Sequence, residues 1–149
     1  RGRLRDSVVR AGSWANVDAS ESAINRVAFD GVRLTGSTFS GAKMGDVAHA
    51  IGTVARAAGF GMLADHGGHG VGRSMHEEPH VANEGKPRRG LKLQPGLVIA
   101  IEPILIAGGT DGYRHDRDGW TIRTADGTRA AHVEHTIAVV PDGTRVLTV

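Results

Sequence analysis

The stretch GLVIAIEPILIA, residues Gly96 to Ala107, decides the fold. It is rich in β-branched residues, which favour an extended, packed backbone over a helix. Pro103 interrupts it, and proline is not tolerated in the middle of a helix or of a central strand. The run therefore reads as buried strand, with the carboxylate of Glu102 at its end. Similar short runs surround it: FGML (60–63) before it, then GWTIRT (119–124), HVEHTIAVV (132–140) and TRVLTV (144–149) after it. Asp-Gly pairs at Asp111-Gly112, Asp118-Gly119, Asp126-Gly127 and Asp142-Gly143 mark turns between them. The pattern is that of a mainly antiparallel sheet.

Upstream the period changes. MGDVAHAIGTVARAAG (44–59) places Val47, Ile51, Val54 and Ala58 at helical spacing, with Gly59 placed as the C-terminal cap. DASESAINRVAFDGVRL (18–34) carries the same signature: Asp18 and Glu21 as a capping box, then Ile24, Val27, Ala28 and Val32 on one face. Two helices followed by strands predict an α+β order, within a single domain over residues 1–149.

Composition narrows the functional classes. The chain has 149 residues, 40% hydrophobic and 23% charged, ordinary for a soluble globular protein. A formal charge of +2 is too small to argue for nucleic acid, and DNA is not expected as a partner. With no cysteine, disulfides, thiolate zinc sites and cysteine nucleophiles are excluded together. No apolar run approaches the roughly 20 residues that span a bilayer, and residues 1–10 lack the apolar core of a signal peptide. The expectation is a cytoplasmic protein without membrane contact. The one basic cluster, GKPRRGLKL (85–93), reads first as a solvated loop and second as a contact for an anionic partner such as RNA.

Chemistry concentrates in GGHGVGRSMHEEP, residues Gly67 to Pro79. His76 to His80 spells H-E-x-x-H, a zinc motif that works when a helix sets both imidazoles on one face. Pro79 falls inside the helical turn this would need, and it pushes Glu78 away from helical geometry. The glycines Gly68, Gly70 and Gly72 are spaced G-x-G-x-G, with neither the Lys-Ser/Thr nor the following helix of a phosphate loop. A third reading assembles a site from separate strands. His69 lies between glycines, Glu102 ends an apolar run, and Glu134 sits within AHVEHTIAVV. A lone strand glutamate is more often paired with Arg or Lys, and a lone histidine between glycines is more often a turn residue. Two buried carboxylates and an imidazole together make a donor set for a divalent cation.

GGHGVGRSMHEEPHV, LKLQPGLVIAIEP, DGWTIRT and AHVEHTIAVV, in this order and spacing, resemble consecutive signatures of the type I methionine aminopeptidases. The resemblance covers about residues 18–149. It implies the pita-bread metallopeptidase fold, mainly its C-terminal half, with helices packed on a curved sheet. It implies removal of the initiator methionine from nascent proteins and peptides by a metal-bound hydroxide, with Co, Mn, Fe or Zn as the metal. Ribosome association follows from that substrate. The family's two-metal site uses two aspartates, one histidine and two glutamates. Carried over by motif, these are His69, Glu102 and the bridging Glu134, with Asp6 of RLRDSVV as the second aspartate. The first aspartate would stand about ten residues before Asp6, so one metal keeps a full ligand set here and the other does not. Glu102 would also shuttle a proton, and His76 would hydrogen-bond the substrate carbonyl. Trp120 and Met75 would shape the methionine pocket. The alternative is a degenerate or truncated domain of the same fold that binds without hydrolysing.

Overall fold

The computed structural model describes residues 3–13, 23–33, 41–63 and 65–148, with side chains from residue 41 onward. Two strands open the chain, β1 (Arg3–Ser13) and β2 (Ala23–Arg33), paired in parallel from Arg3 opposite Ala23 to Ser13 opposite Arg33. Over 23–33 this corrects the helix expected for 18–34, whose Asp18 and Glu21 capping box lies outside the described residues. Ile24, Val27 and Val32 are β-branched and Phe29 is aromatic, residue types that favour extended backbone. Gly31 would further weaken a helix there. The apolar spacing that suggested a helix is too short to separate the two conformations.

The helix α1 (Met44–Ala57) forms as expected. At its start, the Asp46 carboxylate accepts the Lys43 N–H at 2.7 Å and the Arg88 N–H at 2.8 Å, tying the first turn to the loop beyond residue 85. At its end, Gly59 takes φ 79°, and the Phe60 and Gly59 N–H groups donate back to the Ala55 and Arg56 carbonyls, each at 3.0 Å. That double closure is a Schellman cap. The buried face differs from the expected one. Met44, Ala48, Gly52 and Ala55 are buried, whereas Val54 is 52% exposed. Small residues win because the helix lies hard against the 83–85 segment. A Cβ on Gly52 would stand 2.8 Å from Glu84 Cγ, and one on Gly85 would stand 2.8 Å from Ala48 Cβ.

The remaining strands are short: β3 (Gly61–Met62), β4 (Gly68–Gly70), β5 (Glu77–Val81), β6 (Val98–Ile101), β7 (Ile104–Ile106), β8 (Tyr113–His115), β9 (Ile122–Thr124), β10 (Ala130–His132), β11 (His135–Val140) and β12 (Gly143–Val146). Five form one antiparallel sheet in the order β12-β11-β6-β4-β5. Three form a second, β10-β7-β3, and β8 with β9 is a separate hairpin. The core lies between α1 and the larger sheet: Met44, Val81 and Ile99, joined by Val47, Leu93, Leu97, Ile101 and Ile137. Side chains alternate along a strand. With Ile99 and Ile101 turned into this core, Ala100 and Glu102 belong to the opposite face.

Candidate metal centre

The run quoted first bends at Glu102-Pro103, leaving the larger sheet as β6 and entering the smaller one as β7. Its antiparallel neighbour bends at the same level, between β10 and β11. His135 faces Ile101 on one side of the bend and His132 faces Ile104 on the other. The register is unchanged across the break, so Glu102 stands opposite Glu134. Like charges directly opposite each other destabilise a strand pair, and among the described residues neither carboxylate has an Arg or Lys partner.

His69 reaches the same place from β4. Gly70 pairs with Ile99, which puts His69 beside Ala100 and on the face that carries Glu102. Its flanking glycines permit the approach, since a Cβ on Gly68 would run into the Ala100 carbonyl oxygen and one on Gly70 into the Glu78 carbonyl oxygen. His69 Nδ1 lies 2.9 Å from the Gly70 carbonyl oxygen. A carbonyl only accepts, so this contact assigns the proton to Nδ1 and leaves Nε2 with a lone pair in the neutral ring. That Nε2 faces Glu102 Oε1 at 3.2 Å. Two acceptors at that distance are reconciled by a positive charge between them, either a proton on the imidazole or a bound cation.

Ligand atoms of His69, Glu102 and Glu134 all lie within 4.8 Å of one another. The His69 and Glu102 side chains keep 14% and 20% of their surface exposed, and Glu134 is exposed, so the cluster opens to solvent on one side. One imidazole nitrogen and two carboxylates suit a divalent ion of hard-to-borderline character, and this donor set fits one. Second to the cluster comes His76, whose ring centroid lies 4.2 Å from that of His69 at an interplanar angle of 58°.

The other expected residues stand differently. His76 to His80 is not a helix: Glu77–Val81 is strand β5, with a cis peptide at Glu78-Pro79, so no helical zinc motif exists there. Met75 is 72% exposed. Trp120 is 88% exposed, in the turn between β8 and β9, where its backbone N–H donates to Asp118 Oδ1 at 2.9 Å. Neither packs into a core. Asp6 lies on β1, and its side chain is outside the described residues. One polar residue escaped the sequence reading. The Glu77 carboxylate closes the loop carrying Met75 and His76 by accepting the Ser74 N–H at 2.7 Å. The Ser74-x-x-Glu77 spacing, half of a capping box, was its signal.

A family model described as metallopeptidase family M24 matches residues 15–141. The chain belongs to that family. Within M24, the chain is 54% identical over 114 residues to a methionine aminopeptidase 1 from Mycobacterium tuberculosis (strain CDC 1551 / Oshkosh), covering 72% of this chain and 42% of that protein. It is 46% identical over 110 residues to a methionine aminopeptidase from Aquifex aeolicus (strain VF5), with the same coverage of 72% and 42%. Among solved structures, the methionine aminopeptidase of Rickettsia prowazekii superposes with a TM-score of 0.70 at 36% identity, over 74% of this chain and 44% of that one. That of Thermotoga maritima also gives 0.70, at 42% identity, over 73% and 43%. The chain thus spans less than half the length of these M24 relatives. Its architecture is the α+β pita-bread fold of the family, with one helix among the described residues, and M24 membership brings divalent-metal chemistry with it.

Proposed function

We propose that this chain is a single, partial M24 catalytic domain over residues 1–149 that removes N-terminal methionine from peptides and nascent chains. The convergence of His69, Glu102 and Glu134 within 4.8 Å supports this reading most. Those three, with Asp6, would hold the ion, and the physiological choice would fall among Co, Mn, Fe and Zn. When bound there, such an ion would supply Lewis acidity, lowering the pKa of a water molecule and polarising the scissile carbonyl. Glu102 would accept a proton on its carboxylate and return it to the leaving amine. His76, whose ring lies against that of His69, would donate a hydrogen bond from its imidazole to the substrate carbonyl oxygen as negative charge develops. Met75 and Trp120 present exposed apolar surface that would shape the methionine subsite.

The domain would act in the cytoplasm, next to emerging chains. Among the described residues no helix is long and apolar enough to cross a membrane. Contact with the ribosome is supported by the exposed cations Lys86, Arg88, Arg89 and Lys92, none of which forms an ion pair among the described residues. The second reading is a binding remnant, a domain of the same fold that binds metal or peptide without hydrolysing it.

Titration of the chain with Mn(II), beside His69→Ala, Glu102→Ala and Glu134→Ala, tests the site. Each substitution is expected to weaken binding by about 100-fold or more, the upper end of what even outer-shell changes cost. Equal affinity in all four proteins would reject the metal centre. Release of methionine from Met-Ala-Ser with Mn(II) or Co(II) would then separate enzyme from remnant: binding without release would leave only the remnant.

A further inference from the structure

The His76 ring touches His69, yet it is carried by an exposed loop, residues 72–76, with no regular secondary structure. Three contacts fix that loop, and two of them come from one side chain. The Gly72 N–H donates to the Ser74 carbonyl at 3.2 Å, closing its first turn. Glu77 Oε1 accepts the Ser74 N–H at 2.7 Å, spanning the loop from its far end. The same carboxylate lies directly over the Gly72 Cα, where any Cβ would overlap Glu77 Oε2. The Glu77 backbone is meanwhile anchored in the sheet opposite Gly70, next to His69. His76 is thus held between a tethered Ser74 and a sheet-paired Glu77. We propose that Glu77 is the positioning residue of His76: its carboxylate, stapled to Ser74 over Gly72, holds the imidazole in register with the metal cluster.

The physical need is clear. A loop histidine free to sample rotamers and backbone states would have to be ordered each time the substrate carbonyl develops charge, and a misplacement of about 1 Å costs about 10²-fold in rate. A staple made in the resting protein removes that cost beforehand. What matters in this account is reach and acceptor geometry, not charge. Glutamine keeps both and loses the charge; aspartate keeps the charge and falls a methylene short. The two substitutions therefore separate the staple from an electrostatic role.

The proposal rests on the metal-site reading, and Co(II) alone serves as the probe. In the Co(II)-loaded chain, the His76 ring protons are expected to show paramagnetic shifts because they lie beside a ligand. Glu77→Gln should preserve those shifts. Glu77→Asp should collapse them toward their diamagnetic positions, and Gly72→Ala should do the same by displacing the carboxylate without altering Glu77. Co(II) affinity should stay at the unmodified level in all three. With Met-Ala-Ser as substrate, kcat should fall about 10²-fold in the Asp and Ala variants, with KM little changed, and recover in the Gln variant. Unchanged His76 shifts in Glu77→Asp and Gly72→Ala would overturn the proposal, and so would Gln behaving as Asp. Failure of the underlying reading looks different: the unmodified chain would then bind no Co(II) and show no shifted histidine at all.

Discussion

At the scale of single residues, the site depends on atoms that are absent. Gly68 gives β4 its close approach to β6, because the Ala100 carbonyl oxygen occupies the space a Cβ would need. A backbone atom cannot step aside as a flexible side chain can. In Gly68→Ala the two strands must part, carrying His69 away from Glu102. The expected cost is about 1–3 kcal/mol, the range for forcing an extra carbon into a packed site. For a chain of this size that is a fall in Tm of roughly 2–4 °C per kcal/mol. Mn(II) affinity should fall with it. Thermal melts and metal titration of this one variant would check both, and a variant with normal Tm and normal affinity would show that the strand spacing does not set the ligand geometry.

At the scale of elements, the helix end and two loops are joined by one guanidinium. Arg56 donates from Nε to Glu84 Oε1 at 2.9 Å and from Nη2 to Asp111 Oδ2 at 2.6 Å, while Asp111 Oδ1 accepts the Met62 N–H at 2.9 Å. The Asp111 carboxyl is held below its ordinary value of 3.8, first by the Arg56 hydrogen bonds and then by the Met62 N–H. A carboxyl depressed on folding stabilises fully above its unfolded pKa, and the stabilisation is lost as pH falls through the folded one. Arg56→Ala is therefore expected to destabilise by on the order of 1 kcal/mol near neutrality. The figure is modest because the Arg56 and Asp111 side chains are 35% and 45% exposed. The gap between variant and parent should hold from pH 7 to about 4 and close below it. Urea titrations at pH 7, 5 and 3 would test this, and a gap that widened in acid would contradict it.

Elements also show what the sequence could convey. Helix α1 was legible because fourteen residues of one period end in a glycine able to adopt positive φ. Its true buried face was not, since Gly52 and Ala48 are buried through contact with a segment some 30 residues on. Residues 23–33 misled because a few apolar positions fit helical spacing while their β-branched side chains favour a strand. His69, Glu102 and Glu134 were visible one by one as costly groups in apolar or glycine-rich settings. The alignment of two bends that sets Glu102 opposite Glu134 is a matter of register between distant strands, which no local pattern carries. Glu77 was within reach through its three-residue spacing from Ser74, but its partner is a backbone N–H, invisible in a list of side chains.

At the scale of the whole molecule, the cluster sits where the two sheets meet. His69 belongs to the five-stranded sheet through β4, and both glutamates occupy the bends through which paired strands pass into the three-stranded sheet. Without a cation, two carboxylates face each other there with no Arg or Lys partner among the described residues, which weakens the junction. With one, the same groups clamp it. Stability should therefore depend on metal by mass action, with about 2.7 kcal/mol gained at a hundredfold excess over Kd. At roughly 2–4 °C per kcal/mol, Tm should rise by about 5–10 °C. Glu134→Gln separates the two effects: it removes a ligand and also relieves the like-charge pair, a relief of about 0.2–1 kcal/mol for a cross-strand pair. Its metal-free Tm should equal or slightly exceed that of the unmodified chain, and added Mn(II) should no longer raise it. Differential scanning calorimetry across a Mn(II) series would read both quantities. A Glu134→Gln protein that melted lower without metal, or still gained stability with it, would mean that the junction is held by something other than a shared ion between these three side chains.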